Sequence, residues 1–83
     1  MEKINWKTMA GDYIPVQQMY TTHIINTYNC IMGRSLTVIP PNWCGRSHLQ
    51  WQLIFENELN NRGFGVTLNP LDINGKFKLK KIK

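Results

Sequence analysis

Few side chains in this sequence can do chemistry, and their spacing decides most of what they can do. Lys76, Lys78, Lys80, Lys81 and Lys83 fall within its last eight residues. Lys76, Lys78 and Lys80 alternate with Phe77 and Leu79, the period-two pattern of a strand with one cationic and one apolar face. Ammonium groups on such a face meet phosphates as point charges, so the expected chemistry is polyanion binding. Arg34 and Arg46 flank a proline-containing connection and extend this candidate nucleic-acid surface. Trp43, inside that connection, either stacks on a base or plugs the core beneath the loop. The bland alternative is a solvated lysine edge that resists aggregation. No residue is evidently suited to reading base edges. RNA binding through this set is therefore expected to be weakly sequence-specific and strongly salt-dependent.

Other chemistries find less support. His23 and His48, at the starts of two expected helices, are the only pair that could act as acid and base in RNA cleavage. Cys44 and His48 have an acceptable metal-ligand gap. His23 and Cys30, however, lie about 10 Å apart along a helix axis, too far to chelate one zinc. Phosphate-binding glycine loops are absent. Glu56 and Glu58 sit on opposite sides of a helix and make no carboxylate dyad. About 13 residues with two prolines separate the helices, whereas a helix-turn-helix needs a turn of 3–4. The sequence thus predicts a binding protein and no enzyme, with no cofactor and no metal.

Where the charge sits matters more than its sum. The 83 residues carry a formal charge of +5, yet residues 1–75 are neutral, so the excess belongs wholly to the terminal lysines. The length suits a single domain (residues 1–83) with a modest core. The longest apolar run, Leu53-Ile54-Phe55, is far too short for a membrane span, and Met1-Glu2-Lys3-Ile4-Asn5-Trp6 lacks the apolar run expected of a signal peptide. The expected setting is the cytoplasm, where Cys30 and Cys44 stay reduced.

Five segments position these residues. Residues 4–16 alternate around Trp6 and turn at Met9-Ala10-Gly11-Asp12, predicting a hairpin. Residues 21–33 carry Ile24, Ile25, Tyr28, Ile31 and Met32 as a helical stripe, capped by Thr21 or Thr22 and ended by Gly33. Residues 34–46 connect, with an extended piece over 36–39. Residues 47–62 open on a Ser47/Gln50 capping box and present Leu49, Trp51, Leu53, Ile54, Phe55 and Leu59 as an apolar face. Asn74-Gly75 then predicts a tight turn joining residues 71–73 to 76–79, with a bulge or fraying at Lys80-Lys81. The sum is an α+β fold: a small antiparallel sheet of two hairpins with two helices packed on one face.

Two strings carry a resemblance. Trp6-Lys7-Thr8, Gly11, Ile14-Pro15-Val16, Met19, His23 and Asn26 spell W-x-T-x-x-G-x-x-I-P-V-x-x-M-x-x-x-H-x-x-N. Glu58-Leu59-Asn60-Asn61-Arg62-Gly63-Phe64 spells E-L-x-x-R-G followed by a hydrophobic residue. Together they resemble signatures of small tailed-bacteriophage proteins, which imply a structural family without assigned chemistry. In size and charge the chain is also similar to the toxin inhibitory factor of T-even-type phages (TifA). That likeness implies inhibition of an endoribonuclease toxin of host defence, with RNA in the complex. The expected function is sequestration of a host factor, with RNA or another polyanion held by the lysine strand. The alternatives are an RNA-independent modulator docking its lysines on an acidic host protein, or a small ribonuclease using His23 and His48. Neither lysine strand nor proline connection belongs to the shared strings, and oligomeric state stays open.

Overall fold

The first ribbon follows from its turn. In a computed structural model describing residues 3–68, 71 and 75–82, Gly11 takes φ 97° and reverses the chain between β1 (Asn5–Lys7) and β2 (Tyr13–Pro15). Only glycine enters that region without a Cβ penalty. The register pairs Asn5 with Pro15, Trp6 with Ile14 and Lys7 with Tyr13. Val16 N–H donates to Ile4 O at 2.9 Å and Thr8 N–H to Asp12 O at 2.7 Å. Close and wide pairs alternate in antiparallel ladders, so Trp6–Ile14 is a close pair while Asn5–Pro15 and Lys7–Tyr13 are wide. Pro15 therefore stands where no N–H is needed. The outward carbonyl of Lys7 accepts the Trp43 indole N–H at 2.8 Å.

Beyond a 3-10 turn at Val16–Gln18, α1 (Thr21–Ile31) buries Ile24, Ile25, Tyr28 and Ile31. The expected threonine cap is corrected: Tyr20 occupies the N-cap position, and Thr21 lies inside the helix. Its hydroxyl instead accepts from Arg62 at 3.1 Å. The far end closes as expected at Gly33, φ 73°, with Gly33 N–H donating to Cys30 O and Arg34 N–H to Asn29 O, a Schellman motif.

Residues 36–39 form no strand. Leu36 and Val38 are exposed and Ile39 is buried. A 3-10 turn at Trp43–Gly45 leads to α2 (His48–Asn61). Both bonds of the expected capping box are present, Gln50 N–H to Ser47 Oγ at 3.2 Å and Ser47 N–H to Gln50 Oε1 at 2.8 Å. The apolar face is narrower than expected. Trp51, Phe55 and Leu59 are fully buried, whereas Leu49 and Leu53 are 62% and 56% exposed. The row at i, i+4, i+8 is fully enclosed in the core, and half-buried Ile54 packs against it.

That core is aromatic at its centre. Trp6 of β1 stands edge-on to Trp51 at 4.8 Å and to Phe55 at 5.4 Å, and Trp51 stacks on Phe55 at 5.5 Å. Such pairs add about 0.5–1.5 kcal/mol each beyond area burial. They join β1 to α2, while α1 packs alongside α2.

Just past α2, Arg62 fixes how the parts meet. Its Nε donates to Glu58 Oε2 at 2.8 Å. One terminal nitrogen donates to Met19 O at 2.7 Å and Thr21 Oγ1, and the other to Val16 O and Gln17 O at 3.2 and 3.1 Å. All five guanidinium N–H donors are thereby used. Gly63, at φ 88°, then turns the chain into β3 (Phe64–Thr67).

β3 pairs antiparallel with β4 (Lys78–Lys81), Phe64 with Lys81 through Thr67 with Lys78. The described partner of the lysine strand is residues 64–67, while the expected one, residues 71–73, lies mostly outside the described residues. Residues 72–74, including Asn74 of the expected tight turn, lie outside the described residues. Lys76 and Phe77 precede β4, and the register runs unbroken through Lys81 without the expected bulge. Sequence and structure agree on an α+β fold, and the two ribbons remain separate two-stranded sheets.

Arg62→Lys keeps the charge but loses the planar fork. Chemical denaturation should show a loss of about 2–3 kcal/mol, because buried carbonyls of the 16–19 turn lose their donors.

Candidate nucleic-acid interface

The lysine strand is held by an asparagine. Asn29, on α1, is 3% exposed and hydrogen-bonds through both ends of its amide to one residue across 48 positions of sequence. Phe77 N–H donates to Asn29 Oδ1 at 2.6 Å, and Asn29 Nδ2 donates to Phe77 O at 3.0 Å. The second Nδ2 proton reaches Ile25 O at 3.0 Å. The side chain thus imitates a neighbouring strand's peptide unit, satisfying polar groups that would be costly to bury unpaired.

Phe77 itself packs edge-on against Tyr28, ring centroids 5.2 Å apart. The Tyr28 hydroxyl donates to Glu56 Oε2 at 2.5 Å, and Gln52 Nε2 donates to the same oxygen at 3.1 Å. A continuous path of packing and hydrogen bonds therefore runs from the lysine strand through α1 to α2. Burial, reinforced by the hydrogen bond to Glu56 and its charge, pushes the Tyr28 phenol well above its ordinary value of 10. The folded state thus favours the protonated phenol. Its contribution to stability is complete below pH 10 and is lost as pH climbs beyond.

With Phe77 and Leu79 half-buried, Lys76, Lys78 and Lys80 are set off from them as the alternation predicts; Lys78 and Lys80 are exposed, and Lys81 is exposed beside them. Lys78 and Lys80 stand about 6.8 Å apart, two residues of strand rise. Arg34 lies against Phe77, whose side chain alternates to the face opposite Lys76, Lys78 and Lys80. Its guanidinium carbon lies 5.9 Å from the Phe77 ring centroid, and its backbone N–H is bound to Asn29 O. One asparagine therefore holds both members of the site, Phe77 by its side chain and Arg34 by its carbonyl. Lys83 lies outside the described residues.

Arg46 and Trp43 belong to a different part of the molecule. The Arg46 guanidinium lies over Trp51 at 5.5 Å. Trp43, half-buried, donates to Lys7 O, packs at 6.3 Å from Trp6, and accepts the Trp51 indole N–H on its carbonyl at 2.6 Å. It plugs the junction between the connection and the first ribbon. His48 Nε2 lies 2.8 Å from Ile39 O and 3.1 Å from Pro40 O, so a protonated Nε2 ties α2 to the connection. His23 sits in the first turn of α1 and is half-buried. Cys30 and Cys44 are free thiols. Among the described residues no cluster of three or more potential metal ligands occurs, and no helix is long and apolar enough to cross a membrane.

Sequence reasoning finds the lysines and misses Asn29. The available signal is a polar residue four positions after Ile25 on the buried side of a helix, which by itself reads as an ordinary boundary residue. Comparison with family models, curated proteins and solved structures finds no match.

Asn29→Ala should free residues 76–78 first. Amide exchange at Phe77 is expected to speed up markedly, with a stability loss of about 1–3 kcal/mol. Tyr28→Phe, compared with the parent in denaturation series above pH 10, should show a shallower fall in stability with pH.

Proposed function

We propose that this is a phage-encoded basic binding protein that inhibits a host defence factor by sequestration and holds RNA through its lysine strand. The observation that carries the reading is the segregation of charge onto one clamped strand. Lys76, Lys78 and Lys80 alternate along one face and Lys81 follows them in the strand, while Phe77, with Arg34 over its ring, anchors the strand to α1. A pre-ordered row of ammonium groups loses less side-chain and backbone freedom on meeting phosphates than a loose tail would. The half-buried anchors leave the charges, rather than an aromatic platform, to engage the ligand, so recognition follows the sugar-phosphate backbone. Such binding performs no bond-breaking step.

The phage assignment rests on the two strings shared with small tailed-phage proteins. An endoribonuclease toxin as target rests on likeness in size and charge to the toxin inhibitory factor. The host cytoplasm is the setting this implies.

Fluorescence anisotropy with a single-stranded RNA oligonucleotide tests the site. The double variant Lys78→Ala/Lys80→Ala should weaken binding at low salt and flatten the log–log salt dependence by about 0.7 for each phosphate no longer neutralised. RNA recovered after incubation should be full-length. Parental affinity and salt slope in the double variant would sink the reading. A pull-down from host cells, with and without ribonuclease, identifies the sequestered factor and its dependence on RNA.

A further inference from the structure

The edge of the lysine strand offers a second surface, distinct from its charged face. Ile82 N–H donates to Gly63 O at 2.9 Å. Counting along the register makes Gly65–Lys80 and Thr67–Lys78 close pairs and Phe64–Lys81 and Val66–Leu79 wide ones. The backbone N–H and C=O groups of Leu79 and Lys81 therefore point away from β3. Phe77 has the same parity, and its outward N–H and C=O are the two groups that Asn29 satisfies. A side-chain amide thus fills the first position along this edge. Among the described residues, Leu79 and Lys81 have no such partner beyond it.

We propose that an extended acidic segment of a partner protein adds to this edge as a third strand, continuing the line that the Asn29 amide begins. Charge selects the occupant. Side chains of an added strand would stand directly across from Lys78 and Lys80, where carboxylates at alternate positions are favoured. A second copy of this chain pairing through β4 would instead set lysine against lysine, which is unfavourable. The outer edge of β3, Phe64-Gly65-Val66-Thr67, carries no charge to make such a choice. Main-chain bonds would supply affinity and the alternating carboxylates specificity. The inference goes beyond RNA binding and does not depend on it: its main-chain bonds use the strand's edge, and only its charge preference draws on the same Lys78 and Lys80.

Amide hydrogen exchange on the full-length protein tests it, with the capped peptide Thr-Glu-Val-Glu-Val-Glu-Thr as probe. The peptide should slow exchange at the Leu79 and Lys81 amides, and a scrambled peptide of equal composition should not. Lys81→Pro, which removes an outward N–H, should weaken peptide binding about tenfold. Lys81→Ala, which removes only the charge, should weaken it about threefold or less. If Lys81→Pro fails to fold, protection in the parent chain still decides. The proposal is overturned if the scrambled peptide protects equally, or if the peptide binds without protecting these amides. It also falls if sedimentation shows a dimer whose formation alone protects them, or if an RNA oligonucleotide protects them and the peptide does not.

Discussion

The Arg62 guanidinium places its five N–H donors on acceptors from separate parts of the chain, and the way those parts meet depends on it. Its acceptors come from the end of α2, from the 3-10 turn at residues 16–18, from Met19 and from the first turn of α1. A charged, planar donor is suited to gathering carbonyls that point inward from an irregular segment. Glu58, one turn back on the same helix, balances the charge and orients the fork. The residue after Arg62 is a glycine with positive φ, so the junction also sets the direction in which β3 departs. From there the ladder places β4, and β4 places the lysines.

This junction gives physical content to the two sequence strings. Trp6, Val16 and Met19 of the first are core residues, and the carbonyls of Val16 and Met19 receive the Arg62 fork of the second. Gly11 and Gly63 hold conformations that a side chain would strain. Most of the shared letters are accounted for by architecture. The candidate site lies elsewhere, on residues outside both strings.

Elements written in local patterns are legible in the sequence. The Ser47/Gln50 box, the Gly33 and Gly63 helix ends, the Trp6 hairpin and the lysine alternation all depend on neighbours a few residues apart. What escapes depends on distant partners. Thr21 has the chemistry of a cap for α1, but a hydroxyl within reach of Arg62 serves a stronger donor. Leu49 and Leu53 fit an apolar stripe, yet tertiary packing leaves them outside while taking in the Trp51 row and Ile54. The Asn-Gly signal suggests a short-range partner for the lysine strand, whereas its described partner is the strand leaving Gly63. Asn29 has no local signature, because its meaning comes from a residue 48 positions away.

That separation orders events in time as well as in space. Closing 48 residues into a loop costs entropy that local pairings do not, so the Asn29–Phe77 junction forms after α1 and its Schellman turn exist to receive it. The cationic strand is therefore a late-folding element, and in the reverse direction an early-opening one. When it lifts away, Phe77 and the buried amide of Asn29 are uncovered together. The lysines then leave an otherwise neutral body as a basic arm.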